Sequence, residues 1–138
     1  MMDDPLPPGD HVARFCKGKF ISEDDRVEPG AFMLKQDEGY VSVQWLECLG
    51  KTSRREEIGE VRKILSGHLK ISRPSRIAVL NVGKTCDHVA QGSGWNICML
   101  HKPEPNDCAH SGIFGTNQDH DLIAELITET IQEIHPAL

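Results

Sequence analysis

The stretch RIAVLNV, residues 76–82, is a nearly continuous apolar run in the middle of the chain. A short apolar run with polar flanks is typical of a buried strand. Ahead of it, SRREEIGEVRKILS (53–66) places Ile58, Val61 and Leu65 on one face of a helix. The two segments together predict a helix that packs on a buried strand.

Further strands are predicted in VARFC (12–16), AFMLK (31–35), YVSVQWLECL (40–49) and WNICML (95–100). The segment 40–49 alternates apolar and polar residues, which is the period of a half-buried strand. QDEG (36–39) has the composition of a turn, and it would join the strands on either side of it into a hairpin.

A second helix is predicted in DHDLIAELITETIQEI (119–134), which carries one broad apolar stripe. The predicted fold class is therefore α+β, with a mainly antiparallel sheet of four to five strands and two helices. Residues 11–138 are expected to form one small domain, since a chain of 138 residues suits a single core. Residues 1–10 are expected to be a flexible N-terminal arm, because their three prolines disfavour helices and central strands.

The composition excludes several classes of protein. Five cysteines, an odd number without a framework spacing, predict free thiols and a reducing compartment. The N-terminal sequence lacks the basic and apolar regions of a signal peptide, and no apolar run is long enough to span a bilayer. We therefore expect a cytoplasmic protein without a membrane partner.

The charge is unevenly distributed along the chain. The net charge is −6, yet residues 51–76 carry eight basic and three acidic side chains. Nucleic-acid affinity comes mainly from neutralised phosphates, so the overall sign argues against a nucleic-acid partner. The basic segment 51–76 leaves phosphate contacts open as an alternative.

NVGKT (81–85) is similar to the end of a phosphate-binding P-loop. The motif needs a glycine at the position that Ala78 occupies, and the intervening residues are predicted to be strand rather than exposed loop. Gly83 is instead expected to end the strand.

The densest chemical stretch is CMLHKPEPNDCAHSGIFG (98–115). If the protein is an enzyme, the candidate catalytic residues are His101, Asp107, Cys108 and His110. Histidine is the commonest general acid or base, an aspartate can orient it, and a cysteine can act as a nucleophile. The corresponding function would be that of a hydrolase or nuclease, while a stiff connecting loop without chemistry is the alternative.

A repeated Cys-x-His pattern supplies a second hypothesis. Cys86 and His88, together with Cys108 and His110, offer four ligands of the types that zinc prefers. In an extended segment, residues i and i+2 point the same way, so that each pair could present two ligands together. The spacing is not that of a zinc knuckle, and apart from this possible zinc no cofactor is expected.

The leading hypothesis is a non-enzymatic accessory or regulatory protein that acts by binding another protein. The candidate partner-binding residues are Trp45 and three residues of the C-terminal stripe, Ile123, Ile127 and Ile131. Tryptophan is enriched at interface centres, and a small sheet would leave part of a wide apolar stripe uncovered. The oligomeric state does not follow from the sequence.

Four segments carry a resemblance to known proteins: YVSVQWLE (40–47), RIAVLNVG (76–83), HKPEPNDCAHSGIFG (101–115) and HPA (135–137). In these segments the chain resembles a family of short, uncharacterised bacterial proteins that are often encoded near mobile or defence genes. The resemblance implies a bacterial cytoplasmic accessory protein, and it implies no activity and no role for any residue.

Overall fold

A computed structural model describes residues 3–35 and 38–138. Within these ranges the chain forms one sheet of six antiparallel strands and three α-helices. The strands are β1 (His11–Cys16), β2 (Val41–Trp45), β3 (Arg76–Asn81), β4 (Cys98–His101), β5 (His110–Phe114) and β6 (Glu133–Pro136), and the helices are α1 (Arg54–Ser66), α2 (Val82–Ser93) and α3 (His120–Thr128). The order of strands across the sheet is β4-β5-β2-β1-β3-β6. The α+β class and the antiparallel sheet are thus confirmed, with more strands and helices than predicted.

The buried strand predicted at 76–82 lies inside the sheet as β3, between β1 and β6. It pairs with β1 over all six residues, from His11 opposite Asn81 to Cys16 opposite Arg76. Its side chains alternate between two cores, which explains why nearly all of them are apolar.

The helices lie on opposite faces of the sheet. We call the side covered by α2 and α3 the helix-pair face; its core includes Val12, Leu80, Ile123 and Ile127. We call the side covered by α1 the single-helix face; its smaller core joins Ile58, Val61 and Leu65 to residues such as Ala13 and Ile77. The helix predicted at 53–66 is confirmed, and the Ser53 side chain caps it by accepting a hydrogen bond from the Glu56 N–H.

The N-terminal segment, for which we expect a flexible arm, lies along the edge strand β4. The Leu6 N–H donates to the Met99 carbonyl at 2.9 Å, and the His101 N–H donates to the Asp4 carbonyl at 2.8 Å. The Leu6 side chain is buried in the core of the helix-pair face. Residues 3–10 therefore cover a sheet edge that would otherwise expose unpaired backbone groups.

Helix α2 is the largest departure from the sequence prediction, in which Gly83 ends a strand without a following helix. The helix begins at Val82, and the Asn81 side chain caps it by accepting a hydrogen bond from the Lys84 N–H at 2.9 Å. The segment is weakly patterned, with buried side chains at Val82, Thr85 and Val89. Its helical state depends on packing against β3 and α3 rather than on propensity.

The C-terminal helix is shorter than the predicted range 119–134. Helix α3 ends at Thr128, and residues 133–136 form the edge strand β6. The hydroxyls of Thr128 and Thr130 donate to the carbonyls of Glu125 and Ile127, so they compete with the helical hydrogen bonds where the helix stops. The Gln132 N–H then donates to the Val79 carbonyl at the free edge of β3.

Two further predictions are wrong. Residues 31–35 contain the end of a 3₁₀ turn, Pro29–Phe32, and β2 pairs with β1 and β5, so the hairpin of 31–35 with 40–49 does not form in the described ranges. Part of its predicted turn, Gln36 and Asp37, lies outside those ranges. The predicted loop 101–115 contains β5, so it forms a hairpin with β4.

Candidate functional site

Strands β1 and β2 separate soon after they pair. Their register holds only at Val12 opposite Trp45 and Ala13 opposite Gln44, whereas β1 and β3 pair along their whole length. The Arg14 guanidinium spans the gap, where Nε donates to the Ala31 carbonyl at 2.8 Å and Nη1 to the Ser42 carbonyl at 2.9 Å. A side chain therefore replaces the missing ladder bonds in this part of the sheet, and its burial lowers the pKa of Arg14 by desolvation.

A cavity of about 570 Å³ lies beside this gap; we call it the split cavity. On the single-helix face it lies between β1, β2 and the C-terminal end of α1, and it extends through the gap to Arg14 and to residues that pack against the core of the helix-pair face, Phe20, Met33 and Leu34. Its apolar wall includes Phe15, Phe20, Met33, Leu34, Leu65 and Leu69. The volume is within the usual range for pockets that hold small molecules.

One end of the split cavity is cationic. Lys17, Lys19 and Lys35 line it together with Arg14, and the three lysines are exposed to solvent. Lys17 and Lys35 are neighbours in the cavity wall, and the proximity of the Lys35 ammonium group lowers the pKa of Lys17, with smaller effects from burial, Lys19 and Arg14. Two cations held this close are electrostatically unfavourable unless an anion joins them.

The other end is polar and acidic. The Gln44 amide donates from Nε2 to Asp107 Oδ2 at 2.6 Å, and only 6% of Gln44 is exposed. Within the described ranges, Gln44 Oε1 and Asp107 Oδ1 are buried without a hydrogen-bond partner. Glu104 and His110 line the same end. Unpartnered buried oxygens carry a free-energy cost that a donor group would remove.

His110 has one ring nitrogen committed and one directed toward this acidic end. Its Nδ1 donates to the Lys102 carbonyl at 2.9 Å, since a carbonyl can only accept. Its Nε2 is 3.8 Å from the nearer carboxylate oxygen of Glu104. The ring packs edge-on against Tyr40, with ring centroids 5.9 Å apart.

Of the four candidate catalytic residues, the structure brings two into the split cavity, Asp107 and His110. His101 pairs with Ser111, the neighbour of His110, so its ring points to the other face of the sheet. There it packs against Trp45 and donates from Nε2 to the Cys108 carbonyl at 2.7 Å. The exposed Cys108 does not line the cavity.

The candidate zinc ligands are not assembled in the described parts of the chain. Cys86 and His88 lie on helix α2, where residues i and i+2 point to nearly opposite sides, so the argument from extended geometry does not apply to them. His88 pairs with Glu129 at 2.7 Å, and burial raises the pKa of Cys86 to about 11. Residues 3–35 and 38–138 contain no group of three or more His, Cys, Asp and Glu side chains arranged for a metal ion.

The candidate partner-binding residues lie mostly in the core. Ile123 and Ile127 are fully buried, and Ile131 is partly buried against the same cluster. Trp45 is half-buried, with its Nε1 donating to Asp10 Oδ2 at 2.9 Å. The stripe of α3 therefore stabilises the fold rather than forming an exposed strip.

Sequence reasoning missed the residues that define the split cavity. A signal exists for Arg14, which is a charged residue in the middle of a strand that is otherwise mostly apolar. Gln44 carries a weaker signal, as a polar residue on the solvent side of an alternating strand. The proximity of Lys17 to Lys35 has no sequence signal, because it depends on how the intervening turns fold.

No protein-family model, curated protein or solved structure matches this chain. Among the helices of residues 3–35 and 38–138, none combines the length and the apolar character that crossing a membrane requires.

Proposed function

We propose that the chain is a non-enzymatic accessory protein whose binding site is the split cavity. The occupant is a small organic molecule, and the apolar wall of the cavity takes its body. The observation that carries the proposal is the separation of β1 from β2, which opens a cavity of about 570 Å³ inside a sheet that is otherwise continuously paired. A gap bridged by a buried arginine costs free energy, and functional sites are where folds retain such costs.

The distribution of side chains supports binding. The wall is mainly apolar, and charged and polar groups are confined to the ends, which is the usual composition of a ligand pocket. The resemblance to short bacterial proteins supports the bacterial cytoplasm as the setting. In this proposal, the ligand-bound form of the chain regulates a protein partner.

An uncharged environment-sensitive dye, prodan, tests the proposal. We expect its emission to shift to the blue on binding the native protein. The Ser42→Phe substitution places a ring in the cavity and is expected to abolish the shift, while Ser66→Phe at the exposed end of α1 is expected to retain it. Leu69→Glu, at a position 39% exposed on the rim, is a second variant that leaves the core intact.

Loss of the shift in Ser42→Phe and Leu69→Glu, with unchanged thermal midpoints, supports the split cavity as the site. Equal binding in all four proteins, or no binding by the native protein, contradicts the proposal.

A hydrolase is the second candidate, because His110 and Asp107 line the same cavity. With Nδ1 donating to a carbonyl, Nε2 of the neutral ring is available as a base toward the cavity. Hydrolysis of p-nitrophenyl acetate, an uncharged ester, tests this role. His110→Gln is expected to remove activity and His101→Gln, on the opposite face, to preserve it; equal rates in both variants contradict an active-site role for His110.

A further inference from the structure

The charges around the split cavity indicate which molecules it takes. Resting on the proposed function, we infer that the ligand is a small organic phosphate monoester whose phosphate lies between Lys17 and Lys35. Its organic part lies along the apolar wall, and the end of the ligand away from the phosphate points toward Gln44.

Positive charge is concentrated at one end of the split cavity. Lys17, Lys19, Lys35 and Arg14 line this end, together with one carboxylate, Glu38, whose Oε1 accepts a hydrogen bond from the Lys35 backbone N–H at 2.9 Å. In the described ranges, none of these four side chains has a carboxylate within salt-bridge distance.

The charge at this end determines the charge of the ligand that it would bind. Two neighbouring ammonium groups at one end of the cavity offer a combined charge that a dianion balances and a monoanion balances only in part. A phosphate monoester carries nearly two negative charges at neutral pH, and its three terminal oxygens can accept from both lysines at once. Arg14 adds a third positive charge behind them, fixed by its two carbonyl contacts.

The opposite charges of the two ends determine the orientation of the ligand in the cavity. Glu104 and Asp107 make the far end acidic, so they repel a phosphate placed there. Gln44 and Asp107 line that end, but their unpartnered oxygens are buried from solvent, so the orientation rests on the acidic charge of this end. Gln44 lies opposite Ala13 and Lys17 is four residues further along the chain, so the two ends are about 13 Å apart at the usual rise of a strand.

Three matched compounds, 2-naphthyl phosphate, 2-naphthyl sulfate and 2-naphthol, distinguish charge from apolar contact in calorimetric titrations. For the native protein at pH 7.5 we expect the phosphate to bind at least tenfold more tightly than the naphthol, with the monoanionic sulfate in between. Inorganic phosphate is expected to bind more weakly than the naphthyl ester, because it lacks the part that contacts the wall.

The double variant Lys17→Gln/Lys35→Gln is expected to lose the preference for phosphate while its affinity for 2-naphthol stays unchanged. The matched control, Lys51→Gln/Lys63→Gln, removes the same charge from exposed positions outside the cavity and is expected to keep the preference. If the preference survives in the first variant, or falls equally in the control, the inference is overturned. Binding of naphthol without any preference for phosphate overturns the inference alone, and no binding of any compound overturns the proposed function as well.

Discussion

The two faces of the sheet are built differently. On the helix-pair face, α2 and α3 cover an apolar core that draws on strands across the sheet, from Met99 on β4 to Leu80 on β3. On the single-helix face, the described core under α1 is smaller and draws on β1, β3, the turn after β2 that holds Leu46 and Leu49, the loop residue Ile71, and Ala137. Beyond the reach of α1, this face carries Tyr40, Gln44 and His110 instead of aliphatic side chains, and the last two are buried.

This difference separates stability from function. A face covered by two helices leaves no room for chemistry, and its residues are chosen for packing. A face with one helix leaves half of the sheet without helical cover, and there the strands β1 and β2 can separate without opening the core. The candidate site lies where the helical cover ends, whereas the apolar stripe of α3 lies on the other face.

The largest expected effect comes from a truncation on the helix-pair face. Ile127→Ala removes buried methyl groups from a side chain with no exposure and is expected to lower the free energy of unfolding by about 3 kcal/mol. Leu69→Ala, on the single-helix face, is expected to cost about 0.5 kcal/mol because that side chain is 39% exposed. Urea denaturation measures both; similar losses would mean that the two faces do not differ as described.

The separation of β1 from β2 can be probed through Arg14. Arg14→Leu leaves the carbonyls of Ala31 and Ser42 without their hydrogen-bond donors. This cost exceeds the gain from no longer burying a charge, so we expect the free energy of unfolding to fall by about 2 kcal/mol. Arg14→Lys retains the charge but not the planar guanidinium that donates to both carbonyls. Its free energy of unfolding should therefore lie between those of the native protein and Arg14→Leu. A leucine variant as stable as the native protein would show that the guanidinium does not hold the gap.

The burial of Cys16 in the core of the helix-pair face predicts that the protein loses stability at alkaline pH. Burial raises the pKa of Cys16 to about 12 from 9.0, so the folded protein keeps this proton at pH values where the unfolded chain has lost it. Stability contributed by the neutral thiol is therefore complete below pH 9 and falls as the pH rises toward 12. Between pH 9 and 11 the native protein should lose about 1–2 kcal/mol more than Cys16→Ala. If the free energy of unfolding falls equally with pH in both proteins, the thiol of Cys16 is accessible to solvent in the folded state, which contradicts the prediction.

The smallest effects concern one helix cap on each face. Asn81→Ala at the start of α2 and Ser53→Ala at the start of α1 each remove a side-chain acceptor, at a cost of about 1 kcal/mol. Asn81 also donates to the Asp10 carbonyl, so its loss should be the larger one. Thermal denaturation ranks the two variants. A larger loss in Ser53→Ala than in Asn81→Ala would contradict a stabilising contact between Asn81 and the N-terminal segment.

The sequence was sufficient for elements with a strong local signal. Helix α1 has a capping box and a clear apolar face, and β3 is a buried apolar run, so local rules predict both. Helix α2 and strand β6 depend on tertiary partners, because neither VGKTCDHVAQGS nor EIHP has a strong pattern of its own. The site followed the same division: His110 and Asp107 stood out as reactive types in one short stretch, whereas Lys17 and Lys35 meet only after the chain between them has folded.

The central claim is that the half of the single-helix face beyond α1 holds a ligand. Nitrogen–proton correlation spectra of the labelled protein, titrated with 2-naphthyl phosphate, test it most directly. We predict shifts confined to the amides of Phe15, Lys17, Ser42, Gln44 and Leu69, with those of α2 and α3 unchanged. Shifts centred on α2 and α3, or spectra that do not respond, would contradict the claim.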